Sequence, residues 1–136
     1  MPSALLGLAS GADPTPDYRL TFGVSLLGLG RLERWWRDEL TRALIDLVDG
    51  DTVVEMLPVE HQRALDLDEV AVRCRLVRVR FVSSDGSKAA GHAAKAVKGI
   101  AARTLLTEGL DALAGLRWEG WRARCTADDI IEVAGP

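Results

Sequence analysis

The chain has 136 residues, a formal net charge of −3, 48% hydrophobic and 27% charged residues. That length suits one domain with a real core, and the composition is that of a folding globular chain rather than a disordered one. The opening Met1–Ala9 is apolar, but it has no positive flank and falls far short of the ~20 residues that cross a bilayer, which argues against a signal peptide or an anchor.

Residues 1–16 therefore read as a flexible N-terminal segment that ends in the Gly/Pro/Asp cluster Ser10–Pro16, and residues 17–136 as a single domain. From Tyr18 to Leu27, Leu20, Phe22, Val24 and Leu26 alternate with polar or small residues, the period of a half-buried strand. Gly28-Leu29-Gly30 breaks it. From Arg31 onward Leu32, Trp35, Trp36, Leu40, Ala43, Leu44, Leu47 and Val48 recur at helical spacing, and Gly50 stops the helix.

Thr52–Leu57 predicts a short strand that Pro58 confines to a sheet edge, and His61–Asp68 a connecting loop or helical turn. Val70–Val82 is the longest strand signal. Its apolar parity slips between Leu76 and Val77, which predicts a β-bulge that puts Arg73, Arg75, Arg78 and Arg80 on one face. Ser83-Ser84-Asp85-Gly86 is turn chemistry with Ser87 a candidate N-cap, and Lys88–Leu106 is an Ala-rich helix with a slim apolar stripe. Arg117–Cys125 reads as the last strand, with Asp128–Val133 a continuation after a break.

The order β-α-β-β-α-β predicts an α+β fold of ferredoxin-like type, an antiparallel sheet with two helices on one face and the other face open. Proteins of that architecture use the open face for RNA, a regulatory ligand or a second copy, an argument by analogy of fold.

Charge is uneven. Residues 1–68 carry 12 acidic and 6 basic side chains, residues 69–136 carry 8 and 11. The basic excess concentrates in Arg73, Arg75, Arg78, Arg80, Arg122 and Arg124, whose planar donor forks suit phosphates. The competing reading is an exposed strand face kept soluble by charge, or arginines paired with the acidic half or a second subunit. The long strand also lacks the paired aromatic rings on which an RNA-recognition module stacks bases.

Gly28-Leu29-Gly30 between strand and helix is half of a dinucleotide fingerprint, but Glu33 holds the third position, where its charge repels a pyrophosphate. Trp35 and Trp36 point about 100° apart on a helix, so one packs inward and the other is a candidate interface residue. Cys74, Cys125, His61 and His92 form no metal-ligand spacing, the cysteines read as reduced thiols, and no nucleophile or paired-carboxylate motif stands out.

The expectation is a cytoplasmic, non-enzymatic binding or assembly module, without metal or other cofactor, that pairs with itself or another protein and has no membrane contact. Two alternatives stand beside it. One is nucleic-acid or polyanion binding through the arginine face. The other is a small dimeric α+β-barrel enzyme whose Arg73, Arg75, Arg122 or Arg124 orients an anionic substrate.

Overall fold

The structure is a computed structural model that describes all residues from Met1 to Pro136. The fold is mixed α+β, and the chain forms two compact units, Met1–Val53 with Leu57–Leu76, and Val54–Met56 with Val77–Pro136. No helix is long and apolar enough to cross a membrane.

The first unit opens on a hairpin of β1 (Pro2–Ser3) and β2 (Gly7–Leu8), followed by a second hairpin of β3 (Ser25–Leu26) and β4 (Gly30–Arg31). Met1–Ala9 is thus structured, and within the segment expected as a tether only Ser10–Pro16 is irregular and exposed throughout. Helix α1 (Leu32–Val48) follows the second hairpin directly. Its inward stripe is Leu32, Trp36, Leu40 and Leu44, every fourth residue, and it packs on Ala4, Phe22, Ala64 and Leu65.

Tyr18–Leu27 does not become a strand of the main sheet. Its carbonyls are used elsewhere: Phe22 accepts from Glu33 N–H at 2.9 Å and Val24 from Leu32 N–H at 3.0 Å. These are first-turn donors of α1 with no partner inside the helix, so an apolar-alternating segment is spent on capping it.

Helices α2 (Val59–Gln62) and α3 (Leu67–Arg73) complete the unit, and β5 (Thr52–Glu55), before them in the chain, starts in it and ends in the second unit, to which Val54 and Glu55 belong. The first half of the expected Val70–Val82 strand is therefore helical. Asp66 caps α3 by accepting from Glu69 N–H at 3.1 Å, and Asp68 and Glu69 sit favourably in its first turn. Val70 is fully buried whereas Val72 is 82% exposed, as a helix and not a strand would leave them. The parity slip at Leu76–Val77 follows a change of element, since the chain leaves α3 through extended Cys74 into β6 (Arg75–Val82).

The second unit contains α4 (Gly91–Glu108), α5 (Leu110–Ala114), β7 (Arg117–Trp118), β8 (Trp121–Ala127) and β9 (Ile130–Ala134). Ser87 is not its N-cap; α4 starts after Ala90. Strands run in the order β5-β6-β9-β8-β7. β6 and β9 are parallel, and β8 is antiparallel to both β9 and β7, so the sheet is mixed where a ferredoxin-like sheet is antiparallel throughout. A parallel pair needs a long crossover, here the whole stretch from α4 to β8.

Val77, Val79, Phe81, Trp121, Ile131 and Val133 from the strands close on Ala94, Val97 and Ala101 of α4 and Leu113 of α5. The small residues of α4 let it lie close to the sheet, as its sequence predicts. Glu119 and Gly120 both have positive φ, 42° and 85°, the signature of a two-residue hairpin turn. That turn sets Trp118 opposite Trp121, so the two rings share a face.

Candidate functional site: an arginine-rich sheet face

Side chains alternate across a strand, so the apolar set above fixes where the rest of the second unit's sheet points. Val77, Val79 and Phe81 face α4, which sends Arg78 and Arg80 to the opposite side. The register carries this across the sheet. Arg80 lies beside Glu132 of β9, which lies beside Arg124 of β8, and Arg122 pairs with Arg117 of β7. Arg78, Arg80, Arg117, Arg122 and Arg124 therefore share one face with the carboxylate of Glu132 among them, and Glu55 of β5, between core-packed Val54 and Met56, points to the same side.

Ideal strand geometry spaces Arg78 from Arg80, and Arg122 from Arg124, by about 7 Å along the strands, and β6 from β8 by about 10 Å across them. Arg80, Arg117, Arg122 and Arg124 are exposed and Arg78 is half-buried. Arg124 Nη2 donates to Glu132 Oε1 at 2.8 Å. Arg80, Arg117 and Arg122 hold no ion pair. Three unpaired guanidinium groups on a rigid sheet can all donate outward, the arrangement that a row of phosphates accepts.

Two arginines expected on this face lie elsewhere. Arg73 ends α3 in the first unit and makes a bidentate pair with Asp49, Nε to Oδ1 at 3.0 Å and Nη2 to Oδ2 at 3.1 Å. Its pKa is raised by that hydrogen-bonded carboxylate. Arg75 opens β6 within the first unit, exposed and already engaged in an interaction. The helix-for-strand change at Val70–Arg73 removed Arg73 from the group. Arg117 and Glu132 were missed by reading β6 and β8 alone, and the Glu119-Gly120 turn is the signal that brings Arg117 into register.

The other sequence candidates sort by local geometry. Gly28 and Gly30, with φ of 83° and 72°, form the tight end of the β3–β4 hairpin, and the first donors of α1 behind them are already bonded to Phe22 and Val24. Trp36 is half-buried, with Nε1 donating to Ala4 O at 2.9 Å, while Trp35 is 47% exposed and meets it edge-on at 4.7 Å between ring centroids. One ring inward and one outward matches the angular argument. Cys74 donates its thiol to Val70 O at 3.3 Å, and burial followed by the Asp51 charge pushes its pKa up, disfavouring the reactive thiolate. The arginines considered for an anionic substrate are absent from the open cleft of about 340 Å³ between Asp38, Arg42, Ile45 and Glu69.

The family model for the peroxide stress protein YaaA matches residues 1–125. The chain belongs to this family. It is 33% identical over 108 residues to a UPF0246 protein of Streptomyces coelicolor, covering 79% of this chain and 41% of that one. It is also 29% identical over 137 residues to a UPF0246 protein of Corynebacterium glutamicum, covering 97% of this chain and 49% of that one. The chain thus spans less than half the length of these curated relatives.

Within the first unit, a second group of charges surrounds Phe22 and Gly23. Glu60 Oε1 accepts from Gly23 N–H at 2.7 Å, and Arg31 Nε pairs with Glu33 Oε1 at 2.8 Å. The Gly23 amide, then the Thr21 hydroxyl, hold the Glu60 carboxyl below its ordinary pKa of 4.5. A depressed carboxylate contributes stability that is present above its unfolded pKa and lost as pH falls through the folded one. Glu60→Gln is therefore expected to flatten the loss of stability below about pH 4.5, read as the urea midpoint against pH. An acid limb as steep as that of the unaltered protein would remove Glu60 as its source.

Proposed function

We propose that this chain is a non-enzymatic binding module whose arginine face takes a polyanion, with nucleic acid the leading class of ligand. The observation that supports this reading is the placement of five arginines on one face of a single sheet, three of them without an ion pair. No aromatic ring shares that face, because Phe81, Trp118 and Trp121 turn toward the core side. Binding then runs through phosphates, and it is salt-dependent and weakly selective for sequence.

The test is fluorescence anisotropy of labelled nucleic acid at about 50 and 200 mM salt. About four phosphate contacts on a single strand give a slope near −3 and cost roughly 50-fold in affinity over that range. Glu132→Gln is expected to tighten binding about fivefold and to steepen the slope by about 0.7, because it removes a like charge and releases Arg124. Salt-insensitive binding, or a weaker Glu132→Gln variant, would refute the face as the site.

Assembly with another polypeptide is a second reading, and a different observation favours it. The large apolar side chains that stand in solvent are concentrated in the first unit.

A further inference from the structure

Eleven of the twelve large apolar side chains left exposed belong to the first unit, and Leu106 alone belongs to the second. Leu27, at the tip of the β3–β4 hairpin, is fully exposed, with Leu26 and Leu29 beside it in the chain at 38% and 44%. Leu5 and Leu6 form the turn between β1 and β2 at 44% and 41%, and Trp35 is 47% exposed.

Backbone and ring contacts tie these groups to the start of α1. The β3–β4 hairpin is held there by the Leu32 N–H to Val24 O bond, one turn before Trp35. The Leu5-Leu6 turn is anchored on Trp36, whose indole donates to Ala4 O, and Trp36 in turn meets Trp35 edge-on. A Cβ at Gly7 would come within 3.3 Å of the Trp36 ring, so the turn sits directly on it.

A second sign of incompleteness lies in the same unit. Glu33 is buried, yet its Oε2 has no hydrogen-bond partner, and neither has buried Nδ1 of His61, whose ring lies edge-on to Phe22 at 5.1 Å. Folded chains satisfy nearly all such atoms, and large apolar side chains clustered in solvent around one helix start mark an interaction site. The second unit has neither feature. The curated relatives are about twice as long as the stretch they share with this chain.

We propose that the β1–β2 turn, the β3–β4 hairpin and Trp35 form a docking surface, and that its occupant is the portion of the family's fold lying outside the stretch this chain matches. This rests on the assembly reading above and names its partner. The occupant is a polypeptide with an apolar groove for Leu26, Leu27 and Leu29.

Hydrogen exchange on two proteins tests it, this chain alone and the full-length Corynebacterium glutamicum relative. Backbone amides matching Leu5–Leu6 and Leu26–Leu29 are expected to exchange at least tenfold more slowly in the relative. Added in trans, the unmatched part of that relative should form a one-to-one complex with this chain, weakened at least tenfold by Leu27→Asp while the circular dichroism of the chain is unchanged. Should the unmatched part not fold alone, joining it to this chain through a flexible linker should bring the same slowing of exchange. Equal exchange of these amides in both proteins would overturn the proposal. A dimer of this chain that Leu27→Asp disperses, seen by sedimentation, would make a second copy the occupant, which overturns the named partner and leaves the assembly reading standing. A monomer with equally fast exchange in both proteins would remove both.

Discussion

Alanine at Arg80, Arg117 and Arg122 together is expected to weaken polyanion binding by two to three orders of magnitude at low salt, about five- to tenfold for each lost guanidinium–phosphate contact. These three are the arginines of the face that hold no ion pair, so their removal leaves no carboxylate unpaired. All three are exposed, and the fold should tolerate the change within roughly 0.5 kcal/mol. The comparison that gives the result its meaning is Arg73→Ala with Arg75→Ala. Both positions are basic and lie close in sequence, but they belong to the first unit, and Arg73 is already committed to Asp49. That pair of changes should leave anisotropy curves and their salt slope unaltered. A triple variant that binds as the unaltered chain does, or a control that loses as much as the triple variant, would exclude this face and leave only a diffuse charge effect.

The largest effect on stability is expected from Phe22→Ala. Its ring is 1% exposed and lies among Ala4, Leu32, Leu40, Ala64 and Leu65, and its carbonyl receives the Glu33 N–H at the head of α1. Truncating a buried phenylalanine costs about 3–5 kcal/mol, a large part of the stability of any small unit. The loss should be local. Amides of Met1–Val53 and Leu57–Leu76 are expected to lose exchange protection, whereas Val97, Leu113 and Val133 belong to a different apolar cluster whose amides should keep theirs. Val133→Ala serves as the counterpart in the second unit. If amides across α1 stay protected in Phe22→Ala, the ring is not the keystone of that core.

Some features were legible from local pattern alone. The fourfold spacing of Leu32, Trp36, Leu40 and Leu44 gave α1, and the alanine-rich stripe gave α4. The alternation of Arg78 with Val79 and Phe81, and of Arg122 with Trp121 and Ala123, put four arginines on strands with the correct parity. Parity is a property of the chain, fixed by the pleat, and needs no partner to be read.

Elements whose identity depends on a distant partner were not legible in the same way. Tyr18–Leu27 has a strand's period but caps a helix, because the first donors of α1 compete for its carbonyls. Val70–Arg73 also alternates, yet Asp66 and the acidic first turn tip it into α3, with Val70 buried and Val72 in water. Arg73 left the candidate site with that change.

By itself, then, the sequence determined the α+β class, the two long helices and the basic bias of the second half, since helical period, strand parity and charge are written residue by residue. Only the tertiary structure decided the parallel pairing of β6 with β9, the entry of Arg117 and Glu132 into the arginine face, and the exposure of Leu27 and Trp35. Those depend on which strands become neighbours and what covers each apolar side chain, and both are settled by contacts between residues far apart in the chain.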